Sequence, residues 1–100
     1  MFYNDLDAKG AEYWFNKLRP HSVATFREKS TSPAWLNIPS VYLVCEDDRA
    51  IPAADQDAMI AGVKQAGGII EVERTFCSHS PHLVKPDKVA GFLRRTAGET

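Results

Sequence analysis

The chain has 100 residues, 44% of them hydrophobic and 25% charged, with a formal net charge of -1. This is the usage of one ordinary globular domain, or a piece of one. It excludes the basic footprint of a nucleic-acid binder or of a protein held on an anionic membrane, because the cations are scattered and their longest cluster is Arg94-Arg95. No apolar run approaches the roughly 20 residues that span a bilayer. The N-terminus, MFYNDLDAKG, lacks the basic-then-apolar pattern of a signal peptide, so a cytoplasmic setting is expected. Two cysteines, Cys45 and Cys77, are too few for a disulfide framework.

In chain order, Leu6 to Leu18 predicts a helix with an aromatic face, from the i, i+4 pairs Ala11/Phe15 and Trp14/Leu18, stopped by Pro20. His21 to Glu28 predicts a short helix with Ser22 as N-cap and Val23 and Phe26 inward. Ser30 to Pro33 reads as loop, Ala34-Trp35-Leu36 as a single apolar turn, and Ile38-Pro39 as extended chain. Val41 to Cys45 is a continuous apolar, β-branched run, which predicts a strand buried on both faces of a parallel sheet. Glu46 to Arg49 is a polar loop. Pro52 suits the first turn of a helix whose inward face is Met59, Ile60, Val63 and Ala66, ended by Gly67-Gly68. Ile69 to Phe76 predicts a second strand, near a sheet edge. Thr75 to Pro81 is a loop, and Pro86 opens a last helix with Val89, Phe92 and Leu93 inward and Arg94-Arg95 near its C-terminus.

The second two thirds therefore form a strand–helix–strand–helix unit, and a strand, a crossover helix and a second strand make a parallel pair. In open α/β sheets, chemistry gathers beyond the carboxyl ends of the strands. Two such ends lie about 5 Å apart. Asp48, after the first strand, and His79, after the second, can then meet, although they are about 30 residues apart in sequence. A carboxylate on one ring nitrogen fixes the tautomer and leaves the other nitrogen to act as general base.

The segment Tyr42-Leu43-Val44-Cys45-Glu46-Asp47-Asp48-Arg49-Ala50-Ile51-Pro52 resembles the seventh strand and acid loop of α/β-hydrolases, an apolar strand followed by Asp, two variable residues, an aliphatic residue and Pro. In that register the acid is Asp48, not Asp47. Ser78-His79-Ser80-Pro81 resembles the histidine loop after the eighth strand, with Ser78 where Gly is common, and matches the base to His79 rather than His82. Phe2-Tyr3-Asn4-Asp5-Leu6 and Trp14 are similar to the end of the lid and the linker back to the core. The resemblance is to the AB hydrolase-1 type, in its small-molecule esterase and hydroxynitrile-lyase-like branch, and covers nearly the whole chain.

It implies an α/β fold with an incomplete sheet. Residues 1–37 would be lid end and linker helices, and residues 38–100 the C-terminal β-α-β-α unit of a hydrolase core. The complete protein would be a serine hydrolase acting on a small ester-like substrate through Asp48 and His79, with no cofactor or metal.

The G-x-S-x-G nucleophile elbow of such enzymes is absent from these 100 residues: the serines at 22, 30, 32, 40, 78 and 80 do not fit it. The chain by itself is therefore expected to be inactive. Its first strand would also keep an open edge, giving self-association as the expected partner interaction. The alternative function is a non-catalytic interaction or regulatory fragment. Two other readings stay open at the histidine loop: a C-x-H-x-x-H zinc site of Cys77, His79 and His82, and a Cys77–His79 thiol pair. Tyr3, Tyr13, Trp14 and Phe15 are candidates to line an apolar pocket, beside the plainer role of lid or core packing.

Overall fold

The two apolar runs fold as parallel neighbours. In the computed structural model, which describes residues 1–98, β1 (Ser40–Cys45) pairs with β2 (Ile70–Thr75), in register from Ser40 against Ile70 to Cys45 against Thr75. Pairing continues past the strands: the Glu46 N–H donates to the Thr75 carbonyl (2.9 Å) and the Asp47 N–H to the Cys77 carbonyl (3.0 Å). The two post-strand loops are thus stitched side by side.

Helix α3 (Ala53–Gln65) makes the crossover between the strands. It starts just after Pro52, whose side chain ends the extended loop, and stops at Gly67 in the left-handed region (φ +90°). There the Gly67 N–H bonds the Lys64 carbonyl and the Gly68 N–H the Val63 carbonyl, the paired bonds of a glycine C-cap. Arg74 of β2 grips Asp57 of α3 with both terminal guanidinium nitrogens (2.9 and 3.2 Å) and is itself exposed.

N-terminal to the sheet lie α1 (Ala8–Phe15), α2 (Ala24–Arg27) and a single 3₁₀ turn, Ala34–Leu36. The α1 helix is shorter than its aromatic pattern. Asp7 caps it by accepting the Gly10 N–H at 2.7 Å, so Gly10 sits where the cap bond lands. In α2 the expected inward residues are exposed, Val23 and Phe26 alike. One helical turn is too short to present an apolar stripe, and the Phe26 ring lies against His21 instead. Its N-cap is Val23, although the Ser22 hydroxyl still accepts the Ala24 N–H. After β2 come α4 (Pro81–Val84) and α5 (Pro86–Thr96), each opened by proline at its first position. Val89 and Phe92 of α5 are half-buried, while Leu93 is exposed.

The expectation of a first strand buried on both faces is only partly met. Val44 and Cys45 are buried, but Ser40 to Leu43 are half-buried. The buried hydrophobic side chains among the described residues are Val44, Cys45, Ile60 and Cys77, whereas Met59, Ile38, Ile69 and Phe76 are exposed. The radius of gyration is 15.3 Å, against about 13 Å for a compact domain of this length. The physical cause is the sheet. With two strands it is too narrow for its helices to close over.

Backbone direction alternates along a strand. Since the Ser40 and Glu46 N–H groups point to β2, those of Val41, Leu43 and Cys45 point to the opposite edge, where no strand lies among the described residues. At Cys45 a side chain stands in for that strand. The carboxamide of Gln56 accepts the Cys45 N–H (3.1 Å) and donates to the Cys45 carbonyl (3.0 Å).

Candidate active site

The acid loop is built by its own carboxylate. Asp48 Oδ1 accepts the N–H groups of Ala50 (2.8 Å) and Ile51 (2.9 Å), folding Asp48–Ile51 into a tight turn that delivers Pro52 to the start of α3. This is the physical basis of the Asp-x-x-Ile-Pro spacing. The second oxygen, Oδ2, accepts from His79 Nδ1 at 2.8 Å. One carboxylate therefore shapes the turn with one oxygen and holds the imidazole with the other.

The pair is asymmetric. The Asp48 side chain is 5% exposed and that of His79 is 35% exposed. Asp48 is shielded while the His79 ring is partly open to solvent. With Nδ1 donating to the carboxylate, Nε2 is the nitrogen left to take or give a proton. Burial would raise the Asp48 pKa, but the Ile51 N–H, the His79 ring and the Ala50 N–H together outweigh it and hold the carboxyl below its ordinary value.

A carboxylate depressed in this way stabilises the fold above its unfolded pKa of about 3.9, and that contribution fades as pH falls through the lower folded value. The urea midpoint is therefore expected to fall below about pH 4. Asp57 is depressed as well, by the Arg74 hydrogen bond. The part of the acid fall that disappears in Asp48→Asn isolates Asp48, and an identical acid profile in that variant would contradict this assignment.

Asp47 is turned away from the imidazole. Its carboxylate accepts from Asn4 Nδ2 at 3.1 Å and lies 3.8 Å from Arg49. His82 is exposed on α4. The C-x-H-x-x-H residues do not converge, since among the described residues no group of three or more His, Cys, Asp or Glu side chains could hold a metal ion. The thiol reading also weakens. Cys77 is buried, and burial raises its pKa. Burial likewise pushes Cys45 up to about 12. A protonated, enclosed thiol is a poor nucleophile near neutral pH.

Four neighbours of the pair were not singled out as site residues from the sequence. Gln56 is 2% exposed. Besides closing the Cys45 edge, its Nε2 donates to the Ile51 carbonyl (2.8 Å) and reaches Asp48 Oδ2 at 3.5 Å. The available signal was its position one turn before Ile60 on the same face of α3, masked because the apolar pattern passes over a glutamine. The other three, Phe2, Asn4 and Asp5, come from the N-terminal segment. The Phe2 ring centroid is 5.2 Å from that of His79. Phe2 also lines a cleft of about 610 Å³ with Tyr3, Leu6, Ala11 and Phe15, whereas Tyr13 and Trp14 do not line it.

The sequence model of the alpha/beta hydrolase family matches residues 1–92. The chain is 38% identical over 99 residues to the alpha/beta hydrolase nvfD of Aspergillus novofumigatus, an alignment covering 99% of this chain and 38% of that protein. It is 32% identical over 96 residues to the probable hydrolase R7 of a Phoma species, covering 95% of this chain and 39% of that protein. The chain thus spans less than two fifths of the length of these relatives. No solved structure matches it significantly.

Proposed function

This chain belongs to the alpha/beta hydrolase family, and from that premise we propose that it is the C-terminal part of a serine hydrolase acting on a small ester-like substrate, with His79 as general base and Asp48 as its orienting acid. The observation that carries this reading is the 2.8 Å bond from His79 Nδ1 to a shielded Asp48 oxygen. A serine outside these residues attacks the ester carbonyl while His79 Nε2 takes its proton. The imidazolium, stabilised by Asp48, returns that proton to the departing alkoxide, and water then repeats the sequence on the acyl-serine. Nucleophile, base and acid are all side chains, so the reaction needs no cofactor. In this reading residues 1–37 are the lid end and linker, residues 38–100 complete the core, and the cleft beside Phe2 receives an apolar part of the substrate.

For the 100 residues alone, the outer edge of β1 at Val41 and Leu43, which pairs with no strand among the described residues, supports a second reading, an interaction fragment that takes a strand from the rest of the hydrolase or from a second copy. Both readings give the same first result. The isolated chain is expected to turn over p-nitrophenyl acetate no faster than its His79→Ala variant, because loss of the nucleophile alone costs on the order of 10⁴ to 10⁶-fold. A serine-directed fluorophosphonate should label the chain joined to the N-terminal portion of a relative, at a serine outside residues 1–100. Labelling of Ser80, or isolated-chain turnover that vanishes in both Asp48→Asn and His79→Ala, would sink the assignment of the nucleophile to another segment.

A further inference from the structure

The segment Phe2–Asp5 touches both site loops at once. Asn4 Nδ2 donates to the Asp47 carbonyl (3.2 Å) and carboxylate (3.1 Å), beside the acid. Asp5 takes the residue before the base with both oxygens: Oδ2 accepts the Ser78 N–H at 2.8 Å, and Oδ1 accepts the Ser78 hydroxyl at 2.6 Å. These bonds span 73 residues of sequence. Ser78 is fully buried and Asp5 half-buried, so water reaches these bonds only from the Asp5 side. A two-point, charge-assisted grip on a buried residue fixes position and direction together.

We propose that Asp5 is a positioning residue: through Ser78 it sets the direction in which the histidine loop leaves β2, and so places His79 Nδ1 on Asp48. Four features support this. Ser78 and His79 are consecutive, so rotation of the Ser78 peptide swings the imidazole directly. Beyond the Asp47 N–H bond to the Cys77 carbonyl, no strand pairing holds the loop. The hydroxyl that occupies the position before the base is bound to Asp5 rather than to the base. Finally, the Phe2 ring, three residues before Asp5, has its centroid 5.2 Å from that of His79. An imidazole displaced by about 1 Å loses the hydrogen bond that selects its tautomer, and misplacement of that size costs about 10²-fold in rate. Only this catalytic consequence rests on the reading of His79 as the base. The positioning itself is a statement about the hydrogen bond.

The test reads that bond directly. In the full chain, proton and nitrogen NMR should show a downfield, slowly exchanging Nδ1–H signal, assigned to His79 by its disappearance in His79→Asn. In Asp5→Ala the signal is expected to be lost, and the Ser78 amide is expected to exchange with deuterium roughly tenfold faster or more, the scale of one charge-assisted hydrogen bond, while the β1–β2 amides keep their protection. Should Asp5→Ala fail to fold, Ser78→Ala, which keeps the N–H bond to Asp5 and removes the hydroxyl with its short bond to Asp5 and its long one from the Ser80 N–H (3.4 Å), is expected to broaden the signal. A folded Asp5→Ala, or failing that a folded Ser78→Ala, with the Nδ1–H signal unchanged overturns the positioning role. A wild-type chain without the signal overturns the Asp48–His79 pairing itself and the positioning role with it.

Discussion

Replacing Asp48 by Asn in the completed hydrolase is expected to lower kcat by about 10⁴-fold with little change in KM, the scale seen when a triad acid is made an amide. The reason lies in the two oxygens. Oδ1 faces two N–H donors, Ala50 and Ile51, so the new amide cannot place its NH₂ group there without opposing donor to donor and opening the turn. The NH₂ group must instead take the Oδ2 position and point at His79 Nδ1. That nitrogen must then accept, and the imidazole proton moves to Nε2. A ring already protonated at Nε2 cannot take a proton from serine. The fold survives because the turn keeps its oxygen, and the chemistry stops because the tautomer is wrong. Nitrogen NMR of His79 should report the exchange of protonation between the two ring nitrogens, and kinetics should report the loss. An Asn variant that retains the Nδ1–H tautomer, or that keeps activity within tenfold of the parent, would refute this account.

Gln56→Leu is expected to cost about 3 kcal/mol or more, enough to unfold most of the isolated chain. Leu fits the volume, so the penalty is polar. It strands the Cys45 N–H and the Ile51 carbonyl, which the carboxamide now satisfies at 3.1 and 2.8 Å, and leaves the Cys45 carbonyl only the long bond from the Asp48 N–H (3.4 Å). Each buried backbone group left without a partner costs about 1–3 kcal/mol. Met59→Ala, on the exposed side of the same helix, is expected to stay within about 0.5 kcal/mol. Urea denaturation followed by circular dichroism separates the two. Gln56→Glu gives a signed control. At neutral pH its carboxylate faces the Cys45 carbonyl and Asp48 with no proton to donate, so it destabilises. As pH falls and it protonates, it regains one donor and part of that loss. Equal midpoints for Gln56→Leu and Met59→Ala would show that Gln56 does not act as the missing strand's substitute.

Much of the fold was legible because its signals are local. Val41 to Cys45 reads as a strand from its β-branched, apolar run, and Gly67-Gly68 as a helix end. Pro86 opens its helix in the place its missing N–H allows. The failures have two causes. Inward faces were assigned to Met59 and Leu93 by periodicity, which presumes a partner surface that the two-stranded sheet does not provide, and to Val23 and Phe26 in a helix of one turn, too short to present a face; all four side chains are exposed. Conversely, Gln56 is among the most buried side chains because an unpaired strand edge needs an amide, a need that no residue near Gln56 announces.

By itself the sequence determined the two strands, the helix between them, and the spacing from Asp48 to Ile51-Pro52, since each depends on neighbours within about a dozen residues, while the short α4 after the histidine loop went unread. Only the tertiary structure decided which groups meet. It brought His79 to Oδ2 of Asp48 across 31 residues and turned Asp47 toward Asn4 across 43. It also carried Asp5 to Ser78 across 73. Chain closure over such lengths leaves no periodic trace, because it is set by where the sheet and loops place distant backbone, and hydrogen bonds then select among the side chains that arrive.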